Sequence, residues 1–189
     1  MDDGKLLEAL RAGLRGPVIT AADPQYEEAR TPYNGMVDKH PAAVVRCADV
    51  ADVMAAVNFL RDHELELAVQ GGGHSAAGLG LLDGGVTLDL SGLRGIRVDP
   101  ARRTAQVAGG CTLADLDHAT HAFGLATPTG IMSSTGAGGL TLGGGHGHLT
   151  RKYGLTVDNL ISADVVLADG TFARIYRQGL HWYMRGVYE

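Results

Sequence analysis

Two clusters of glycine mark the places where main chain could meet a ligand. Gln70-Gly71-Gly72-Gly73-His74-Ser75 follows an apolar run, and Ser133-Ser134-Thr135-Gly136-Ala137-Gly138-Gly139-Leu140 leads into Gly143-Gly144-Gly145-His146-Gly147. Without side chains, consecutive amides can point into one concavity, and such a nest holds an anion such as a diphosphate without a lysine. The same clusters also suit tight turns or close chain packing. The familiar nucleotide motifs fail here. Gly73 and Gly78 have the outer P-loop spacing, but Leu79 stands where lysine is required, and Gly136-x-Gly138 is followed by Thr141 in place of the third glycine of a Rossmann fingerprint. A dinucleotide held by these clusters therefore needs a different fold.

His74 stands at the rim of the first cluster, beside Ser75, and a neutral imidazole is a nucleophile near pH 7. A histidine satisfied by a backbone carbonyl is the alternative reading. His146-x-His148 and His118-x-x-His121 lack third and fourth ligands at a matching spacing, so no metal is assigned. Ser133 and Ser134 lack the Gly-x-Ser-x-Gly elbow of a hydrolase nucleophile.

The elements that must carry these loops follow from periodicity. Lys5 to Leu14 reads as a short amphipathic helix ended by Gly16-Pro17, followed by a polar segment through Lys39. Ala43 to Cys47 is a strand. Asp49 is an N-cap for a helix whose apolar face is Val50, Val53, Met54, Val57 and Leu60. Leu65 to Val69 is the next strand, ending at the first glycine cluster, and strand, helix, strand implies a right-handed parallel crossover. Val86 to Leu90 is a third strand.

From Gly95 the style changes. Ile96-Arg97-Val98 and Thr104 to Ala108 flank the turn Asp99-Pro100-Ala101-Arg102 as an antiparallel hairpin. Thr112 and Asp115 have capping-box spacing and open a helix in which Leu113, Leu116 and Phe123 face one way before Gly124 stops it. A last hairpin, Val165-Val166-Leu167 and Phe172-Ala173-Arg174, turns at Asp169-Gly170. The expected class is α+β, with a small βαβ parallel lobe at about 36–93 and a mixed or antiparallel lobe with helices at about 94–175, preceded by a lead-in at 1–35.

Composition limits the partners. Hydrophobic residues make up 45% of 189, enough for a real core, and 28 glycines exceed the usual share without any three-residue period. The formal net charge of -5 argues against a surface that tracks phosphate backbones, so no nucleic acid is expected. Cys47 and Cys111 cannot build a disulfide framework, and the acidic start Met1-Asp2-Asp3 is not a secretion signal. No segment approaches the length that spans a bilayer. A cytoplasmic protein with no membrane partner is expected.

Taken together, His40-Pro41 to Val45, Gln70 to Ser75, Thr127-Pro128-Thr129-Gly130, Thr135 to Gly147, Arg151-Lys152-Tyr153-Gly154-Leu155, Asp158-Asn159 and Val165 to Gly170 resemble the FAD-binding domain of berberine bridge enzyme-like oxidases. That domain is shared with the p-cresol methylhydroxylase (PCMH) and vanillyl-alcohol oxidase group, and the resemblance runs in order over about residues 36 to 175. It implies a two-lobed PCMH-type fold with FAD between the lobes. Residues at the matching positions are Gly71, Gly72, Gly73, Ser75, Thr129, Gly130, Ser134, Thr135, Gly136, Gly138, Gly139, Gly143, Gly145 and Val165.

His74 matches the position where an imidazole joins the 8α-methyl carbon of the flavin, a bond that raises the cofactor's reduction potential. Many members carry a second link through a cysteine after Thr-Pro. Met132 occupies that place here, and a thioether cannot become a thiolate, so one covalent bond is expected.

The implied activity is that of an oxidase-type FAD-dependent oxidoreductase, whose flavin takes a hydride from a small organic substrate and passes electrons to oxygen or another acceptor. Residues 176–189, with Leu180-His181-Trp182-Tyr183-Met184-Arg185-Gly186, keep only a trace of the family's continuation, and no substrate domain is expected within these 189 residues. No catalytic base is assigned. The alternative is a truncated, catalytically silent FAD-binding module, or one part of a split enzyme.

Overall fold

A computed structural model describes residues 3–176 of the chain; the segment Leu180 to Gly186 lies outside the described residues. In order, the elements are α1 (Asp3–Ala12), β1 (Val18–Ile19), α2 (Tyr26–Ala29), β2 (Ala43–Arg46), α3 (Val50–Asp62), β3 (Leu67–Gln70) and β4 (Val86–Asp89). These are followed by β5 (Ile96–Asp99), β6 (Thr104–Val107), α4 (Leu113–His121), α5 (Ala137–Leu142), α6 (Thr150–Tyr153), a short 3-10 turn (Val157–Asn159), β7 (Ser162–Val166) and β8 (Phe172–Tyr176).

The first lobe forms because β2, α3 and β4 each bury an apolar face. The Asp49 carboxylate accepts the Asp52 amide at the start of α3, as an N-cap should. Ala56, Val57 and Leu60 of α3 meet Ala43 and Val45 of β2 and Val86 and Leu88 of β4 in one core, which Leu10 and Val18 extend. Leu60 and Leu88 are wholly buried, each stabilising by about 1.5–3 kcal/mol relative to exposure. Val44, the strand neighbour of Val45, points the other way into a second cluster with Ile19, Tyr26 and Ala29.

The parallel crossover is present, with one addition. The sheet order is β1-β2-β4-β3, so β4 inserts between β2 and β3 and pairs with both in parallel. The strand expected to begin at Leu65 begins at Leu67, because the Leu65 amide is used to close α3 onto the Leu60 carbonyl. Two short elements appear within the expected polar segment. β1 pairs antiparallel with β2, and α2 sets the Tyr26 hydroxyl 2.7 Å from the Pro41 carbonyl.

The second lobe is built from two antiparallel hairpins, β5–β6 and β7–β8. α4 carries the full capping box of Thr112 and Asp115. Its buried face differs from the expected one. Leu113 and Leu116 are buried, but Phe123 is 52% exposed, because the helix ends at His121 and the chain turns away at Gly124, where φ is +64°. Thr120 is the third buried position instead.

The hairpin β7–β8 also reaches back to the first lobe. Val166 packs against the sheet core, and the Arg61 guanidinium of α3 donates to the Asp169 carbonyl. No described helix is long and apolar enough to cross a membrane.

Candidate functional site

The two glycine clusters meet. A Cβ built on Gly72 would lie 2.5 Å from the Gly136 Cα, and one built on Gly136 would lie 2.9 Å from the Gly72 Cα. No side chain fits at either position, so main chain approaches main chain there. A third strand end joins them: Cβ atoms on Gly71 and Gly138 would come within 3.2 and 3.3 Å of the Gly109 carbonyl. Gly109, which closely follows β6, was not singled out from the sequence. Its signal was the adjacent pair Gly109-Gly110 just beyond a strand, the same pattern that ends β3.

The second cluster hangs from the N-terminus of α4. The Leu113 and Ala114 amides donate to the Thr135 and Ser133 carbonyls at 2.9 Å, and Ala137 donates to Cys111 at 2.8 Å. Gly136 bridges to Thr112, the capping residue itself. The amide and hydroxyl of Thr112 both reach Asp115, and the amide foremost holds that carboxyl below its usual range. Burial pushes the Cys111 thiol up, against the smaller pull of the Ala108 backbone; its sulfur faces the Leu93 and Gly95 carbonyls, and its carbonyl accepts the Ala137 amide.

The two loops carry free donors. β3 makes its last ladder bond when Leu90 donates to Gln70. Beyond it, the amides of residues 71–75 find no acceptor among the described residues, and neither do those of Gly138 and Gly139. Gly73, with φ at +68°, turns this run of amides. Beside it the Gln70 Oε1 atom is buried with no hydrogen-bond partner among the described residues.

His74 sits half-buried at the end of the run, and neither ring nitrogen is hydrogen-bonded among the described residues. Its ring lies on that of Tyr33, a residue the sequence reading passed over. The far side of the loop is held by Ser75, which accepts the Leu79 amide on its hydroxyl, and by the Lys39 ammonium on the Gly78 and Leu81 carbonyls.

The remaining candidates divide. Thr129 is buried and Gly130 half-buried, pressed on the segment His146-Gly147; a Cβ on Gly147 would lie 2.9 Å from the Thr129 carbonyl carbon. Gly143 caps α5, and Gly145 accepts the Thr156 amide and hydroxyl, so both shape the turn that follows α5. Ser134 is exposed on the second cluster, and Val165 pairs with Ala173 inside the last hairpin. The contacts joining the glycine loops include neither of them. Among the described residues no group of three His, Cys, Asp or Glu is placed to hold a metal. A separate open depression of about 400 Å³, bounded by Leu67, Leu79, Leu81 and Leu82, flanks β3 without using a residue of either glycine cluster.

Comparison with known proteins identifies the family and the fold. The family described as FAD binding domain matches residues 41–176. A FAD-linked oxidoreductase of Dictyostelium discoideum is 40% identical over 166 residues, covering 87% of this chain and 36% of the relative. Berberine bridge enzyme-like 9 of Arabidopsis thaliana is 37% identical over 166 residues, covering 82% of this chain and 30% of that protein. The crystal structure of 6-hydroxy-D-nicotine oxidase from Arthrobacter nicotinovorans superposes with a TM-score of 0.87 at 35% identity, over 92% of this chain and 39% of its own. The chain thus spans 30–39% of the length of these relatives.

Proposed function

The chain belongs to the FAD-binding domain family of berberine bridge enzyme-like oxidases, and from that premise we propose that it is the flavin-binding unit of an oxidase acting on a small organic substrate. The observation that carries the proposal is the contact of Gly72 with Gly136 beneath two sets of unpartnered amides. These loops fit FAD. Seven amides without acceptors suit a diphosphate, and the orphaned Gln70 Oε1 suits a donor brought by a ligand, since a buried acceptor left unpaired costs about 1–3 kcal/mol.

In this reading Gly71, Gly72, Gly73, Ser75, Gly136, Gly138 and Gly139 hold the cofactor by main chain, with Thr129, Gly130, Thr135 and the turn at Gly143 and Gly145 behind them. When bound, the flavin supplies a two-electron acceptor for hydride from a substrate C–H and returns the electrons to oxygen or another acceptor. His74 would be the residue joined, through a ring nitrogen, to the 8α carbon of a bound flavin. Such a link would replace one C–H and one N–H bond by a C–N bond, with dioxygen as the oxidant that would take up the two electrons and two protons as hydrogen peroxide. The free ring nitrogens of His74 support that role. Met132, exposed and unable to form a thiolate, supports a single link. The buried thiols Cys47 and Cys111 suit a reducing compartment such as the cytoplasm.

The test is the colour of the protein. Expressed with excess FAD, the chain should be yellow and keep its flavin through acid precipitation, whereas His74→Ala should release it; covalent flavin retained by the variant refutes the attachment. The alternative reading is a silent module or one part of a split enzyme. Turnover of any alcohol, sugar or amine by the purified chain rejects it.

A further inference from the structure

A nucleophilic imidazole on a glycine loop has a geometric problem. Residues 71–73 give main-chain curvature but no side chain to hold the ring of the next residue. Hydrogen-bonding both ring nitrogens would fix it, but an acceptor engaged in that way no longer offers its electron pair. Stacking avoids the conflict, because it engages the face of the ring and leaves the in-plane nitrogens free.

Tyr33 is placed to do this. Its ring centroid lies 4.1 Å from that of His74, with the planes 16° apart. Tyr33 is 65% exposed, so its ring is not a core side chain that happens to touch a histidine. It is tied to the same loop on either side of His74. The Tyr33 amide donates to the Gly73 carbonyl at 3.0 Å, and the adjacent Asn34 side chain donates to the Ala76 carbonyl at 2.9 Å. The stacking partner therefore moves with the loop that carries the histidine.

We infer that Tyr33 is a positioning residue for His74, clamping one face of the imidazole so that a ring nitrogen is presented along a single direction for bond formation. This rests on the attachment role proposed for His74. Tyr33 touches neither bond being made nor bond being broken; it acts by removing rotation about the His74 side chain, and freezing a reactant near its attack geometry raises the rate of attack. The flat ring is the working part, not the hydroxyl.

The experiment follows the rate at which acid-stable flavin forms when FAD is added to flavin-free wild type, Tyr33→Phe and Tyr33→Leu, alongside the amount of flavin bound but still releasable. Tyr33→Phe should stay within about twofold of wild type and Tyr33→Leu should be slower by about tenfold or more, with releasable binding unchanged. In the flavin-free proteins, the ring-proton resonances of His74 should be displaced upfield in wild type and Tyr33→Phe, and return toward free histidine in Tyr33→Leu. The inference is overturned if Tyr33→Leu attaches flavin at the wild-type rate, if Tyr33→Phe fails as Tyr33→Leu does, or if releasable and acid-stable flavin fall together, which marks a merely structural residue. Wild type that never acquires acid-stable flavin overturns the attachment itself, a failure seen before any variant is compared.

Discussion

The sheet lobe and the glycine cleft are held together by opposite means. Around α3, β2 and β4, apolar side chains exclude water, and the buried residues are Val45, Leu60, Val86 and Leu88. At the glycine loops, Gly72 and Gly136 come together because neither has a side chain, and the surrounding amides are left without partners among the described residues. One region is stabilised by what its side chains bury. The other is shaped for a ligand by what its residues lack, so its integrity and the protein's stability should respond to different substitutions.

The largest effect expected from that contrast is at the cleft. Gly72→Ala puts a methyl into the Gly136 main chain and should abolish flavin retention, read as absorbance after gel filtration, while overpacking lowers stability by only about 1–3 kcal/mol. Flavin retained at the wild-type level would break the comparison. Next comes Leu60→Ala, which empties the core under α3. A loss of about 2–5 kcal/mol in urea unfolding is expected. A loss below about 1 kcal/mol would mean that the lobe is not held by this side chain.

Asp52 sharpens the comparison, because it is a buried side chain doing main-chain work. Only 3% exposed, it accepts the Arg15, Gly16 and Ala48 amides, each at 2.9 Å. Burial alone would raise its carboxyl, yet the amides of Arg15, Ala48 and Gly16 outweigh it, and the net direction is down. A carboxyl lowered by folding contributes stability that is complete above its unfolded value of about 3.9 and is lost as pH falls through the lower folded value. Asp52→Asn should cost about 1–3 kcal/mol at neutral pH and flatten the acid limb of the stability curve. An unchanged acid limb would show that another group governs it.

Smallest is Thr112→Ala, worth about 1 kcal/mol by calorimetry. Because residues 133–137 hang from this helix start, flavin retention should weaken with it.

Legibility in the sequence follows the same division. Asp49, the spacing from Val50 to Leu60, the Thr112 box and the turn Asp169-Gly170 are local signals, and each element they mark is present. β1 and α2 escaped because two residues of strand have no period; Val18 and Ile19 become strand only by pairing with Val45 and Val44. α5 escaped because Gly138-Gly139 are poor helix formers, and Gly136 and the ties to α4 supply what propensity does not. The insertion of β4 between β2 and β3 is invisible in strand order alone. At the site, both glycine clusters and His74 were readable as chemistry, and their meeting was expected through the shared dinucleotide that the resemblance implies, since no local signal joins Gly72 to Gly136. Tyr33 contacts His74 across 40 intervening residues of chain with no motif to join them.

The grip of the last hairpin on α3 has a consequence for the order of events during synthesis. Arg61 and the Asp169 carbonyl are 108 residues apart, so a growing polypeptide can assemble the sheet, its helix and the first glycine turn well before the fastener that closes over them has left the ribosome. Closing so long a span adds little entropic cost beyond a shorter one, since that cost rises only with the logarithm of length. The late clasp is thus cheap to make, and until it forms the Arg61 side of α3 stands open to water.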